Sequence, residues 1–172
     1  MSRAFQILLF VSVMLVAGVG GYLLSGPPRP GAVDTGPMLE ASLPDLSGTP
    51  QQIGNWKGKV LVVNFWATWC PPCLEEIPHF VRLQERLGGQ GLQFVGIAID
   101  EADKVRAFAQ KYAINYPVMI GQVDAIELSK TAGNKAGGLP YTLILDRSGE
   151  VVSQHYGGLD EEILQPIFDG LL

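Results

Sequence analysis

The order of apolar segments predicts an α/β fold, with a mixed central sheet flanked by helices. Continuous apolar, β-prone runs alternate with segments in which apolar residues recur at helical spacing. Alternating strands and helices favour a sheet with helices on both faces. The chain then ends in two β-prone segments around a turn, followed by an amphipathic helix. The 172 residues suffice for one domain of ordinary size and a tail.

The first half of the domain is predicted to contain a hairpin, a buried strand and a long helix. In chain order these are a hairpin over 41–53, a strand over 59–66 and a helix from Cys70 to about residue 87. Ser47-Gly48 has the composition of a hairpin turn. The strand is almost wholly apolar, which is typical of a strand buried on both faces. Gly88-Gly89 marks the end of the helix.

The second half is predicted to complete the sheet and close it with a helix. The segments are a strand over 93–99, a helix over 102–112, a strand over 116–120, a helix over 125–131, hairpin strands over 141–146 and 151–156, and a helix over 160–171. Val105, Phe108 and Ala109 form one apolar face of the first of these helices. Asp160 is a suitable N-cap for the last helix.

The N-terminus predicts a membrane segment. Residues 4–24 are almost wholly apolar and long enough to cross a bilayer, which takes about 20 residues in a helix. We interpret residues 1–25 as a transmembrane anchor, although a cleaved signal peptide stays an alternative. Arg3 precedes the apolar run, so the rest of the chain is expected outside the cytoplasm. The Gly/Pro-rich residues 26–38 predict a flexible linker, which leaves 39–172 as the domain.

The charge and cysteine content narrow the function. The net charge is −5 and the basic residues are scattered, which argues against a nucleic-acid interface. A domain of this size buries enough core to fold without disulfides. Its two cysteines are therefore available for chemistry.

Cys70 and Cys73 lie at a predicted strand-to-helix junction, separated by Pro71-Pro72. This spacing places both sulfurs on one face of the first helical turn, where they can form a small disulfide ring. The first turn tolerates prolines, and its partial positive charge favours a thiolate at Cys70. Cys73 lies deeper and is expected to resolve the mixed disulfide that Cys70 forms.

Other roles for the cysteines are weaker. An inert disulfide over so short a loop would add little stability. A structural zinc site needs four ligands, and only His79 and His155 could join the cysteines as imidazole or thiolate ligands. Neither cysteine has the Thr or Ser three residues earlier that a peroxidatic cysteine needs. We therefore expect no metal and no cofactor beyond the redox-active pair.

The run Val-Asn-Phe-Trp-Ala-Thr-Trp-Cys-Pro-Pro-Cys at residues 63–73 resembles the thioredoxin superfamily. More narrowly, it is similar to the membrane-anchored TlpA/ResA/CcmG group of bacterial extracytoplasmic reductases. The resemblance extends over 39–172 and implies a thioredoxin-like fold. It also includes Gly138-Leu139-Pro140 before a strand.

The resemblance implies roles for residues around the cysteines. Pro140 matches the superfamily proline that follows a cis peptide and faces the cysteine pair, with the backbone of Leu139 pairing with an extended substrate. Trp69 is expected to flank the Cys70 sulfur and touch substrate. Asn64 replaces the buried aspartate of thioredoxin and cannot accept a proton. Glu76 is implied to accept the proton of Cys73 instead.

The implied function is an extracytoplasmic thiol–disulfide oxidoreductase, a monomer held at the bacterial cytoplasmic membrane by a single span. Electrons would arrive from a membrane thiol donor of the CcdA/DsbD type. They would leave to an oxidised partner such as apocytochrome c or a copper-site protein. The alternatives are a copper-delivery module of the Sco type, which would depend on His155, and a disulfide-forming oxidase. The physiological substrate, the reduction potential and the direction of electron flow stay open.

Overall fold

Strand β3 (Val60–Trp66) lies at the centre of the sheet because six of its seven residues are apolar and all seven are buried. The computed structural model describes residues 33–172. The predicted anchor at 1–25 and most of the predicted linker lie outside these described residues. Among residues 33–172, no helix combines the length and apolar character needed to span a bilayer.

The main sheet has five strands in the order β5-β4-β3-β6-β7. The flanking strands are β4 (Leu92–Ala98), β5 (Val118–Ile120), β6 (Tyr141–Leu145) and β7 (Val151–Tyr156). Strands β3, β4 and β5 pair in parallel, whereas β6 and β7 add two antiparallel pairings. A separate two-stranded hairpin comprises β1 (Ser42–Pro44) and β2 (Pro50–Gln52). The predicted mixed sheet and both hairpins are confirmed.

Five α-helices and two short 3-10 helices, Ile53–Trp56 and Gly88–Gln90, accompany the sheet in the described part of the chain. The α-helices are α1 (Gly36–Glu40), α2 (Pro71–Leu87), α3 (Ala102–Lys111), α4 (Asp124–Thr131) and α5 (Glu161–Asp169). The carboxylate of Asp160 accepts a hydrogen bond from the Ile163 backbone N–H at 3.0 Å, which confirms the predicted cap of α5.

Alternation along β3 divides the core into two layers. Val60, Val62 and Trp66 pack on the side of α2, α3 and α5. Leu61, Val63 and Phe65 pack on the opposite side, with α1 and α4. Since alternate residues of a strand point to one face, Asn64 faces α2 together with the first set. This alternation places a polar side chain directly beneath the cysteine helix.

Helix α1 departs from the predicted linker. Met38, assigned to that linker, is fully buried and packs in the second core layer. The Gly and Pro residues suggested irregular chain, but Pro37 lies in the first helical turn, where its missing N–H costs nothing. The folded part therefore begins before the predicted boundary at Leu39.

Candidate active site

Cys70 and Cys73 form a disulfide at the start of α2, with their Cα atoms 5.3 Å apart. Cys70 occupies the N-cap position with extended backbone, and Cys73 lies in the first turn. Both are buried, and Cys70 retains 4% of its surface while Cys73 retains none. The difference in access suits Cys70 as the attacking sulfur and Cys73 as the deeper one.

The loop before Cys70 is held by Asp100, a residue that the sequence analysis did not single out. The Asp100 carboxylate accepts hydrogen bonds from both the backbone N–H and the hydroxyl of Thr68. Burial raises the pKa of Asp100, but these bonds and one from the Glu101 N–H outweigh it, so the pKa is lowered. The ionised carboxylate thus anchors the turn from which Trp69 projects, 64% exposed.

A groove of about 380 Å³ opens beside the disulfide. Its mainly apolar lining includes Trp69, Cys70, Pro71, Ile99, Ile126 and Leu139. The residues predicted to contact substrate, Trp69 and Leu139, thus border the same space as the attacking sulfur. Pro72 also borders it. The groove can accept an extended peptide segment that presents a disulfide to Cys70.

The peptide bond between Leu139 and Pro140 is cis, as the resemblance implied. Pro140 is buried and Leu139 is half-buried. The side-chain amide of Asn134 donates a hydrogen bond to the Gly138 carbonyl at 2.9 Å, so it holds the turn before the cis bond. Asn134 could not be identified from local sequence, since the contact depends on how the loop folds back.

Glu76 is buried one helical turn after Cys73, with only 1% of its surface exposed. Its Oε1 accepts a hydrogen bond from Asn64 Nδ2 at 2.7 Å, and its Oε2 accepts one from the Leu159 backbone N–H at 3.1 Å. Burial raises the pKa of Glu76 to about 8, although these two hydrogen bonds lower it in part. Such a carboxyl holds a proton near neutral pH and can exchange it with a thiol, whose ordinary pKa is about 8.5.

Asn64 connects Glu76 to strand β6. Asn64 pairs with Thr142 in the β3–β6 ladder, and its Nδ2 also donates to Thr142 Oγ1 at 2.9 Å. Asn64 Oδ1 is buried and has no hydrogen-bond partner within residues 33–172. The amide offers a donor to the ionised carboxylate and, when turned over, an acceptor for the protonated form. Thr142 was missed because cross-strand neighbours cannot be identified from local sequence.

One other titratable group lies near Glu76: burial and, to a lesser degree, the charge of Glu76 raise the pKa of the buried Tyr116. The other titratable side chains discussed above lie outside this arrangement. Glu75 is exposed, as expected of an ordinary surface residue. His79 lies on the surface of α2, within 3.7 Å of Glu161. His155 lies on β7 opposite Thr142 in the ladder. Across residues 33–172, no three His, Cys, Asp or Glu side chains cluster in a way that could hold a metal ion.

Comparisons with known proteins agree with this geometry. The redoxin family model matches residues 33–172. The thiol-disulfide oxidoreductase ResA of Bacillus anthracis is 34% identical, over 70% of this chain and 68% of that protein. ResA of Halalkalibacterium halodurans is 29% identical, over 74% and 70%. A thioredoxin-family thiol:disulfide interchange protein from Chlorobium tepidum is 33% identical, with a TM-score of 0.66 over 76% of this chain and 92% of that one.

Proposed function

The chain belongs to the redoxin family as a thiol–disulfide oxidoreductase, and on that premise we propose that it reduces disulfides of specific partner proteins outside the cytoplasm. The location is supported by the apolar residues 4–24 and by Arg3 before them. In this proposal the N-terminal segment tethers the catalytic domain, as a monomer, to the outer side of a bacterial cytoplasmic membrane.

The reaction begins at Cys70. Its thiolate attacks one sulfur of the partner's disulfide, and the other partner sulfur leaves as a thiolate that takes up a proton. Cys73 then loses its proton and attacks the Cys70 sulfur. The mixed disulfide breaks, the Cys70–Cys73 disulfide forms, and the partner leaves with both of its cysteines reduced. Two electrons have passed from this chain to the partner.

The observation that carries the mechanism is the buried carboxyl of Glu76 one turn beyond Cys73. Residues three apart on a helix share one face, so the carboxyl is within reach of the Cys73 proton directly or through one water. The structure contains the disulfide, which is the state that follows proton transfer. A Glu76 pKa of about 8 means that the carboxyl retains that proton near neutral pH in this state. Reduction of the disulfide by the electron donor would return the proton to Cys73.

Partner selection is proposed to depend on the groove. Its apolar walls suit an extended segment with apolar side chains beside the reactive cysteine. An oxidised Cys-x-x-Cys-His segment of apocytochrome c, before haem attachment, is the partner we propose first, and a copper-site protein is the second. The electrons would be supplied by a membrane thiol donor of the CcdA/DsbD type.

The test compares reduction rates of two disulfides by the reduced chain. We expect an oxidised Cys-x-x-Cys-His peptide to be reduced at least about tenfold faster than insulin, a difference of about 1.4 kcal/mol. Trp69→Ala should narrow this ratio because the exposed indole borders the groove. An oxidised peptide from a copper-site protein is measured in parallel. Equal rates on all three disulfides would contradict a selective reductase.

A further inference from the structure

The segment Gly157–Leu159, between β7 and α5, contacts three separate parts of the active site. The Gly157 N–H donates to the Pro140 carbonyl at 3.0 Å. Gly158 lies against Pro72, since a Cβ on it would be 3.5 Å from the Pro72 carbonyl oxygen. The Leu159 N–H donates to Glu76 Oε2 at 3.1 Å. We call this the bridge segment.

Both ends of the bridge segment are fixed. On one side, Tyr156 pairs with Tyr141 in the ladder between β6 and β7. On the other side, the Leu159 side chain is 2% exposed and packs in the core, and Asp160 caps α5. A displacement at Gly157 is therefore separated from Leu159 by Gly158 alone.

We propose that the bridge segment is a positioning element for the redox reaction, which transmits movement of the cis Leu139–Pro140 turn, when a partner docks, to the carboxylate of Glu76. This inference rests on the proposed function, in which the partner's segment lies against Leu139 and Cys70. A hydrogen bond weakens steeply as its angle and length depart from the optimum. A small shift of the Leu159 N–H would therefore remove a donor that stabilises the ionised carboxylate.

The consequence is a coupling between docking and proton transfer. In the dithiol state of the proposed mechanism, Cys73 holds the proton and Glu76 is ionised. Weakening the donor to this carboxylate makes it a stronger acceptor for the Cys73 proton. Cys73 is then deprotonated when a partner disulfide is in place. Wasteful oxidation of the dithiol in the absence of a partner is thereby slowed.

Gly157 provides a test because its backbone has φ of +91°, which side chains other than glycine adopt with strain. Gly157→Ala should displace the bridge segment. A matched control is Gly48→Ala in the β1–β2 turn, where φ is +88°. At both positions a Cβ would meet nothing within 4 Å, so the two variants share the backbone strain and differ in location.

The measurement is the infrared C=O band of protonated Glu76 in the oxidised full chain, titrated with pH and assigned by its loss in Glu76→Gln. We expect a midpoint near 8 for the parent chain and for Gly48→Ala. Gly157→Ala should raise the midpoint by about one pH unit, a tenfold change in proton affinity. Asn enters the left-handed region more readily than Ala, so the midpoint of Gly157→Asn should lie between those of the parent chain and Gly157→Ala. If Gly157→Ala does not fold, Gly157→Asn provides the test.

Docking itself is tested in a Cys73→Ala background. A cysteine-containing peptide linked to Cys70 should raise the Glu76 midpoint relative to a methylthio cap, and Gly157→Ala should remove this difference. The positioning role of the bridge segment is overturned if Glu76 has the same midpoint in folded Gly157 variants as in the parent chain. It is also overturned if the peptide and the cap give the same Glu76 midpoint. Loss of partner reduction with an intact midpoint response would instead overturn the proposed function.

Discussion

Cys70→Ser is expected to reduce the disulfide-reductase activity to the background seen without protein. A serine hydroxyl is not ionised near neutral pH and cannot form a mixed disulfide, so no step of the exchange can begin. The variant should fold, because the Cys70–Cys73 disulfide closes a very short loop and contributes little through chain entropy. The assay is insulin precipitation with dithiothreitol as the electron source.

Cys73→Ser is the matched control for this prediction. It keeps the attacking thiol and removes the resolving one, so it should accumulate a mixed disulfide with the substrate, visible by mass spectrometry as a single adduct on Cys70. Activity that survives Cys70→Ser would show that Cys70 is not the nucleophile. A mixed disulfide formed on Cys73 in the Cys70→Ser variant would reverse the assignment of the two sulfurs.

Glu76→Gln is expected to remove a pH dependence of folding stability from the oxidised chain. The pKa of Glu76 is raised from its ordinary 4.5 to about 8 in the folded state. Between these values the folded chain retains a proton that the unfolded chain releases, so stability falls as pH rises, by about 1.4 kcal/mol per pH unit. The stabilisation is present in full below pH 4.5 and is lost as the pH rises through 8.

The glutamine variant should lack this slope. At low pH its stability should be close to that of the parent chain, because the amide, like the protonated carboxyl, offers one carbonyl acceptor and one donor to Asn64 and the Leu159 N–H. Above pH 8 it should be the more stable of the two, since it buries no charge, so the two stability curves separate as the pH rises. Urea unfolding at a series of pH values measures the stability of the parent chain and of Glu76→Gln. Glu75→Gln, at the exposed neighbouring position, should have the same stability curve as the parent chain. If the stability of Glu76→Gln changes with pH as steeply as that of the parent chain, the pKa of Glu76 is not raised on folding.

The sequence was sufficient to predict the sheet and the position of the cysteines, because both depend on local pattern. The apolar run of β3 and the helical spacing after Cys70 specify a strand–helix junction whatever the rest of the chain does. The resemblance added the cis bond before Pro140, and it implied that Glu76 takes the proton-accepting role that Asn64 cannot fill. It did not indicate the hydrogen bond between Asn64 and Glu76.

The surroundings of Glu76 could not be predicted in the same way. Thr142 reaches Asn64 only through the register of β6 on β3, and the Leu159 donor is a backbone N–H that any residue type would supply. Gly157-Gly158 has the composition of a simple turn, although it contacts both Pro140 and Pro72. Helix α1 was missed because Gly36 and Pro37 imitate a linker, whereas burial of Met38 supplies the stabilising contact.

The direction of electron flow is tested most directly by the equilibrium reduction potential of Cys70–Cys73 against glutathione. A selective reductant that works where disulfides persist needs a dithiol that gives up its electrons readily. We predict a potential well below that of the glutathione couple, near the roughly −270 mV of thioredoxin or lower. A potential near the roughly −120 mV of a strong disulfide-forming oxidant would contradict it.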